Sequence, residues 1–148
     1  MAKAIFGRPL NAPTSGGAQI GVNVVSRYKN KVVLFEKLNL ARGQELGDLW
    51  FPWDYLEYGE SPDASAKRVL KQWGKTEPKE LKMVEVFSMV PPGEDWQLFF
   101  QYVAELKAPP KNGANIKNIK IIELAQLPRM VGFLRRSDVK HYLTVADM

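Results

Sequence analysis

The sequence has no cysteine and a single histidine, His141. Without thiols there can be no disulfide, no thiolate zinc site and no cysteine nucleophile, and one imidazole cannot make a histidine-rich metal site. His141 has no serine or acid partner at a catalytic spacing, and no serine stands in a nucleophile-elbow pattern. A phosphate-binding glycine loop is missing too, since Gly16-Gly17 is only a flexible pair. No run approaches the ~18 uninterrupted apolar residues that a membrane span needs. The first residues lack the apolar core of a secretory signal. These absences lead us to expect a soluble, cytoplasmic protein with no membrane contact.

What is present is the balance of an ordinary globular domain: 148 residues, 45% hydrophobic and 25% charged, enough for one domain with its own core. The net charge of +5 is unevenly placed. Residues 1–106 hold 13 basic and 13 acidic side chains, whereas residues 107–148 hold 8 basic and 3 acidic ones. An anionic partner such as RNA is one reading of that excess. A lysine-rich solvated surface is the plainer one, because no dense basic run appears.

Residues 1–18 are rich in proline and glycine, with Gly7, Pro9, Pro13, Gly16 and Gly17, and read as a flexible arm before a domain over 19–148. Strands are expected over 19–28 and 32–38 around a turn at Lys29-Asn30-Lys31. Further strands are expected over 49–55 (interrupted by Pro52), 82–90, 96–106 and 119–124. The clearest helix spans 62–73. Ser61 is its N-cap, Pro62 and Asp63 suit its first turn, and Ala66, Val69, Leu70 and Trp73 form one apolar stripe. Gly74 is expected to stop it. A last helix should start behind Ser137 as N-cap. A central helix among strands, with another at the end, makes a mixed α/β fold.

One stretch carries a recognisable pattern. The segment Trp53-Asp54-Tyr55-Leu56-Glu57-Tyr58-Gly59-Glu60-Ser61 is followed by Arg68, Leu70 and Gly74. It resembles the Nudix box, G-x5-E-x7-R-E-U-x-E-E-x-G-U with U bulky and apolar, and the family's common G-G-x-x-E-x-G-E-S opening. Glu60 falls on the first box glutamate, Arg68 on the arginine and Leu70 on the apolar position. Gly74 precedes the box glycine by one residue. The segment Ile121-Ile122-Glu123-Leu124-Ala125-Gln126-Leu127-Pro128 resembles the stretch before the last Nudix helix. The resemblance spans about Gln19 to Ala146 and implies a mixed-sheet α/β/α sandwich.

The departures bear on activity. Val69, Gln72 and Trp73 stand where the box has glutamates, and Trp53 and Asp54 replace the opening glycines. The resemblance implies that those glutamates hold divalent ions that bridge a diphosphate. A Mg²⁺ site needs hard oxygen ligands, and valine and tryptophan offer none. The expectation is a catalytically degenerate Nudix-like module that binds a nucleotide, RNA or a ribonucleoprotein surface, with no cofactor. One alternative is a divergent Mg²⁺-dependent hydrolase of nucleoside diphosphate derivatives, drawing ligands from Glu57, Glu60, Glu94, Asp95 or Glu123. Another is a structural subunit of a larger assembly.

The candidate residues each have two readings. Arg68 with Glu60 is a brace between loop and helix, or Glu60 with Glu57 binds a cation. Val69 and Trp73 are core residues, or Trp73 is a stacking surface. Trp50, Phe51, Trp53, Tyr55 and Tyr58 pack on both faces of a strand, or some of them, Trp53, Tyr55 and Tyr58 foremost, stack on bases or meet a protein partner. Arg135, Arg136 and Lys140, with Lys117 and Lys120, are the candidate contacts to phosphates.

Overall fold

The computed structural model describes residues 18–38, 49–90, 92–93 and 95–148. The expected arm therefore lies outside the described residues except for Ala18, which is buried and already opens the first strand. Glu94, one of the acids considered above, also lies outside them.

Strand β1 (Ala18–Tyr28) and strand β2 (Lys31–Lys37) form a hairpin. Its two-residue loop, Lys29 and Asn30, has positive φ at both positions, 51° and 64°. That geometry matches the right-handed twist of paired strands. The aromatic stretch splits into β3 (Leu49–Trp50) and β4 (Trp53–Tyr55) around Pro52, which has no N–H to donate. The helix α1 (Pro62–Gly74) is followed by β5 (Pro78–Met89), β6 (Trp96–Leu106) and β7 (Ile116–Ile122). A small hairpin of β8 (Met130–Val131) and β9 (Leu134–Arg135) leads into α2 (Arg136–Ala146).

The main sheet has seven strands in the order β3-β2-β1-β6-β5, with β4 on β1 and β7 on β2. β1 runs parallel to β6 and antiparallel to β2 and β4. Alternation along the central strands feeds two cores. Val22, Val24, Val33, Phe35, Tyr102 and Ala104 pack with Val69, Leu70 and Trp73 of α1. Val25, Val32, Leu34 and Val103 pack with Val139, Tyr142 and Leu143 of α2. A helix on each face makes the α/β/α sandwich. Gly21 is required by the close approach of Phe99, because a Cβ there would lie 2.7 Å from its ring.

Several expected boundaries move. The stop of α1 is not Gly74 but Lys75, whose φ of 49° and ψ of 41° are left-handed and whose N–H donates to the Lys71 carbonyl. Lys75 is the residue in register with the box glycine. Gly74 is instead packed near Pro110 and Phe35. The N-cap of α2 is Arg135 rather than Ser137, with the Asp138 carboxylate accepting from the Arg135 backbone N–H at 2.9 Å. β5 begins at Pro78, four residues before the expected start. β7 begins at Ile116 and ends before Leu124, which enters a 3-10 turn.

Candidate functional site

Arg68 is the hub of the loop before α1. Ser61 caps the helix by accepting from the Ala64 N–H, which fixes the direction in which the loop arrives. Nearly two turns into the helix, Arg68 projects back over that loop. Its Nε donates to Glu60 Oε2 at 2.8 Å, and one terminal nitrogen donates to Glu60 Oε1 at 2.9 Å and to the Tyr55 carbonyl at 3.0 Å. The other terminal nitrogen donates to Asp54 Oδ2 at 2.9 Å. Glu60 Oε1 also accepts the Glu57 backbone N–H at 3.0 Å. The Arg68 guanidinium holds the Glu60 carboxyl below its ordinary range, and Glu60 in turn raises the Arg68 pKa. Both Glu60 oxygens are thus committed inside the protein, and Glu57 is exposed beside them. This is the brace, and Asp54 is a member of it that the sequence reading passed over. Its signal was there: an acid in the place of an opening glycine.

A second contact docks α1 on the sheet. The Tyr102 hydroxyl donates to Asp63 Oδ1 at 2.5 Å, and burial followed by this carboxylate pushes the phenol upward.

The box positions beyond Arg68 lie as follows. Val69 is fully buried and Trp73 only 7% exposed, while Gln72 faces solvent. Trp73 meets Phe35 edge-on at 5.9 Å between centroids, and the Lys37 ammonium stands 4.8 Å from its ring. An open cleft of about 420 Å³ is lined by Lys37, Trp53, Asp54, Gln72, Trp73, Ala114, Asn115 and Ile116. Its far wall is the loop after β6, tied to the end of α1 by the Lys111 N–H to the Gly74 carbonyl and the Gly113 N–H to the Trp73 carbonyl, at 2.8 and 2.9 Å. A Cβ at Gly113 would fall 1.9 Å from the Gln72 carbonyl oxygen, so only glycine allows the closure. Lys37 and Asn115 join the cleft through the fold alone, with no local signal in the sequence.

The aromatic candidates divide. Trp50 and Phe51 are buried, Trp53 and Tyr55 half-buried, and Tyr58 is 89% exposed. Trp53 packs against Trp50, Tyr55 and Phe99 at 6.3, 5.4 and 6.1 Å between centroids, leaving one edge in the cleft.

The basic candidates stand elsewhere, on and beside α2. Arg135 is exposed and 3.4 Å from Asp138, whereas Arg136 donates to the Leu127 carbonyl at 2.8 Å. Lys140 lines a separate cavity of about 510 Å³ with Arg27, Asn30, Lys31, Thr144 and Asp147. Arg27 is already paired with Glu105 and Asp147, and Lys31 with Glu123. Lys117 is paired with Glu36. The fold therefore separates the two sets of candidates, since α1 and α2 lie on opposite faces of the sheet.

No family model matches the sequence, and no curated protein matches it. The fold, however, is that of the Nudix hydrolases. The structure is similar to that of a MutT NUDIX hydrolase from Burkholderia pseudomallei, with a TM-score of 0.69 at 14% identity over 83% of this chain and 96% of the other. It is similar to the E. coli ORF135 protein, with a TM-score of 0.66 at 10% identity over 87% and 91%. It is also similar to a NUDIX-family hydrolase from Clostridium perfringens, with a TM-score of 0.64 at 12% identity over 86% and 95%. At such identities the likeness is one of fold, and function must be argued from the site. Among the described residues no helix is long and apolar enough to cross a membrane.

Proposed function

We propose that this is a Nudix-fold binding module that holds a nucleotide or an RNA segment without hydrolysing it. The single observation that carries the reading is the burial of Val69 and Trp73 in the α1 core, at two positions where the resembling box has glutamates. A divalent cation does not fit there. The positions offer a hydrocarbon, a neutral amide and an indole, and the nearest carboxylates, Glu60 and Asp54, are ion-paired with Arg68. Among the described residues no three His, Asp or Glu side chains come together to hold a metal. The cleft is instead lined by the indoles of Trp53 and Trp73, the charge of Lys37 and the amides of Gln72 and Asn115. Aromatic faces and a cation suit a base and a phosphate.

The test is a panel of nucleoside diphosphate derivatives and short RNAs, assayed for turnover with Mg²⁺ or Mn²⁺ and for binding by calorimetry. Binding without turnover is expected. A divergent hydrolase is the second reading, supported by the hydrolase names of the structural neighbours and by Asp54, a carboxylate at the cleft. Metal-dependent turnover abolished in Asp54→Asn would establish it in place of the first.

A further inference from the structure

Three asparagines stand close together where the loop after β6 runs into β7, and two of them serve the backbone around them. Asn112 Nδ2 donates to the Lys117 carbonyl at 3.2 Å, and Asn118 Oδ1 accepts the Ile119 N–H at 3.0 Å. The third is different. Asn115 lines the cleft, and its side-chain amide has no hydrogen-bond partner among the described residues.

The backbone holds that amide in place. Gly113 to Ile116 form a turn, closed by the Ile116 N–H donating to the Gly113 carbonyl at 3.2 Å. Asn115 is its third residue, with a φ of 66°. A type II turn needs a positive φ there, which glycine adopts most readily and asparagine tolerates. The chain thus carries an amide where the turn alone would be served by glycine. Pairing with β2 then fixes the position. Lys117 is passed over, so that Asn118 stands opposite Glu36 and Ile116 opposite Lys37. A bulge of this kind re-aims the side chains beside it. One step further the Leu38 N–H donates to the Asn115 carbonyl at 2.8 Å, which seats Asn115 next to Lys37 at the cleft.

The two amides of the cleft are not equivalent. Gln72 Oε1 already accepts from Arg68 at 3.3 Å, whereas both ends of the Asn115 amide are open. A side-chain amide sets a donor beside an acceptor, the pattern with which asparagine reads the edge of a base. The other lining groups lack that power. Indole faces stack on any base, and an ammonium is a point charge.

We infer that Asn115 is the base-reading residue of this cleft, hydrogen-bonding the edge of a nucleotide's base while Lys37 meets its phosphate. The inference rests on the binding-module reading above and adds the group that selects the base. It also fixes what a single change of chemistry should do. An ionised aspartate at position 115 is acceptor-only. Among the four common bases, guanine alone presents two N–H donors side by side.

Calorimetric titration of the full chain tests this, using the four nucleoside 5′-monophosphates and short homopolymeric RNAs of the same four bases. The parent separates its best base from its worst by roughly tenfold, within the range of one bidentate base contact. Asn115→Gly keeps the turn, melts like the parent by circular dichroism and binds all four bases alike. Asn115→Asp, nearly isosteric and tolerant of the same φ, binds every nucleotide more weakly because of its charge but ranks guanine first. A parent that binds all four bases equally overturns the inference. So does a base preference that survives in Asn115→Gly, or an Asn115→Asp protein that ranks any other base first. A parent that binds none of these ligands overturns the binding-module reading as well.

Discussion

The Lys37 ammonium lies 4.8 Å from the centroid of the Trp73 ring, so one indole serves both the core and the cleft. Its inner edge meets Phe35, and its outer side is where Lys37 and the cleft begin. Trp73→Ala should cost about 3–5 kcal/mol, the usual toll of removing a large buried aromatic, and should abolish ligand binding. Lys37→Met removes a partly exposed cation–ring contact of about 0.5–1 kcal/mol, so it should leave the fold intact while weakening an anionic ligand. Chemical denaturation and calorimetry on both variants separate the two roles. Equal losses of stability would show that Lys37 matters only for packing.

Val69→Glu returns a box glutamate to its position and should destabilise the protein by several kcal/mol. An ionised carboxylate there would be buried without a partner, and such groups are costly. Gln72→Glu, at an exposed position, should melt within about 0.5 kcal/mol of the parent. A Val69→Glu protein of parental stability would show that position 69 accepts a charged carboxylate and would overturn the burial argument on which the binding-module reading rests.

The Glu60–Arg68 brace predicts a pH dependence. Folding lowers the Glu60 pKa below its ordinary 4.5, chiefly through the Arg68 hydrogen bond. The stability it contributes is therefore complete above about pH 4.5 and is lost as the pH falls through the lower folded value. Glu60→Gln should be less stable than the parent at neutral pH, with the gap closing on acidification. Asp147, held down by Arg27, leaves both proteins a residual slope of the same sign. Urea denaturation midpoints between neutral and acid pH read the difference directly. A gap that stays constant over that range would contradict the brace.

Lys75 occupies a left-handed conformation that suits glycine, at a cost of roughly 1–2 kcal/mol for a side chain. Lys75→Gly keeps the hydrogen bond to Lys71 and should raise stability by about 1 kcal/mol, after the greater freedom glycine has when unfolded. For a chain of this size that is roughly 2–4 °C in Tm. Gly74→Ala next to it should do the reverse, because its Cβ would press on Pro110 and Phe35.

The basic surface on α2 gives the last prediction. The Arg135 side chain is 72% exposed, while Arg136 is tethered to the Leu127 carbonyl. Because α2 lies on the face opposite the cleft, Arg135→Ala with Lys140→Ala should leave a mononucleotide's affinity unchanged. The pair should weaken an RNA long enough to reach α2, about equally for all sequences, with the salt slope lower by roughly one per lost phosphate contact. Arg136→Ala should instead act mainly on stability. Filter binding across salt concentrations decides this, and a slope indifferent to Arg135 and Lys140 would leave them as surface charge.

Local chemistry explains which parts of the fold could be read in advance. Ser61, Pro62 and the apolar stripe of α1 are signals within one helix, and the turn residues before Trp96 and the Pro/Gly/Lys segment after Leu106 mark both ends of β6. β5 misled because its bulges destroy the alternation by which a strand is recognised. The α2 cap misled because Asp138 reaches backward to Arg135, so the serine between them is not needed. In the site, Glu60 and Arg68 are eight residues apart and carried by a pattern. Lys37, Asp54 and Asn115 come from two strands and a loop that only tertiary pairing brings to Trp73.

The parallel pairing of β1 with β6 has a consequence for how the chain is made. Ala18 to Arg27 lie beside Trp96 to Glu105, locked by Asn23 to Gln101 and by Arg27 to Glu105, contacts 78 residues apart in sequence. Such distant partners make closure slow, because the chain loses the entropy of the intervening loop before the pairing rewards it. On a ribosome adding about 5–20 residues each second, the β1–β2 hairpin waits several seconds for its central neighbour. During that time the edge of β1 that β6 will cover has no strand beside it, and the sheet's centre stays open until β6 arrives.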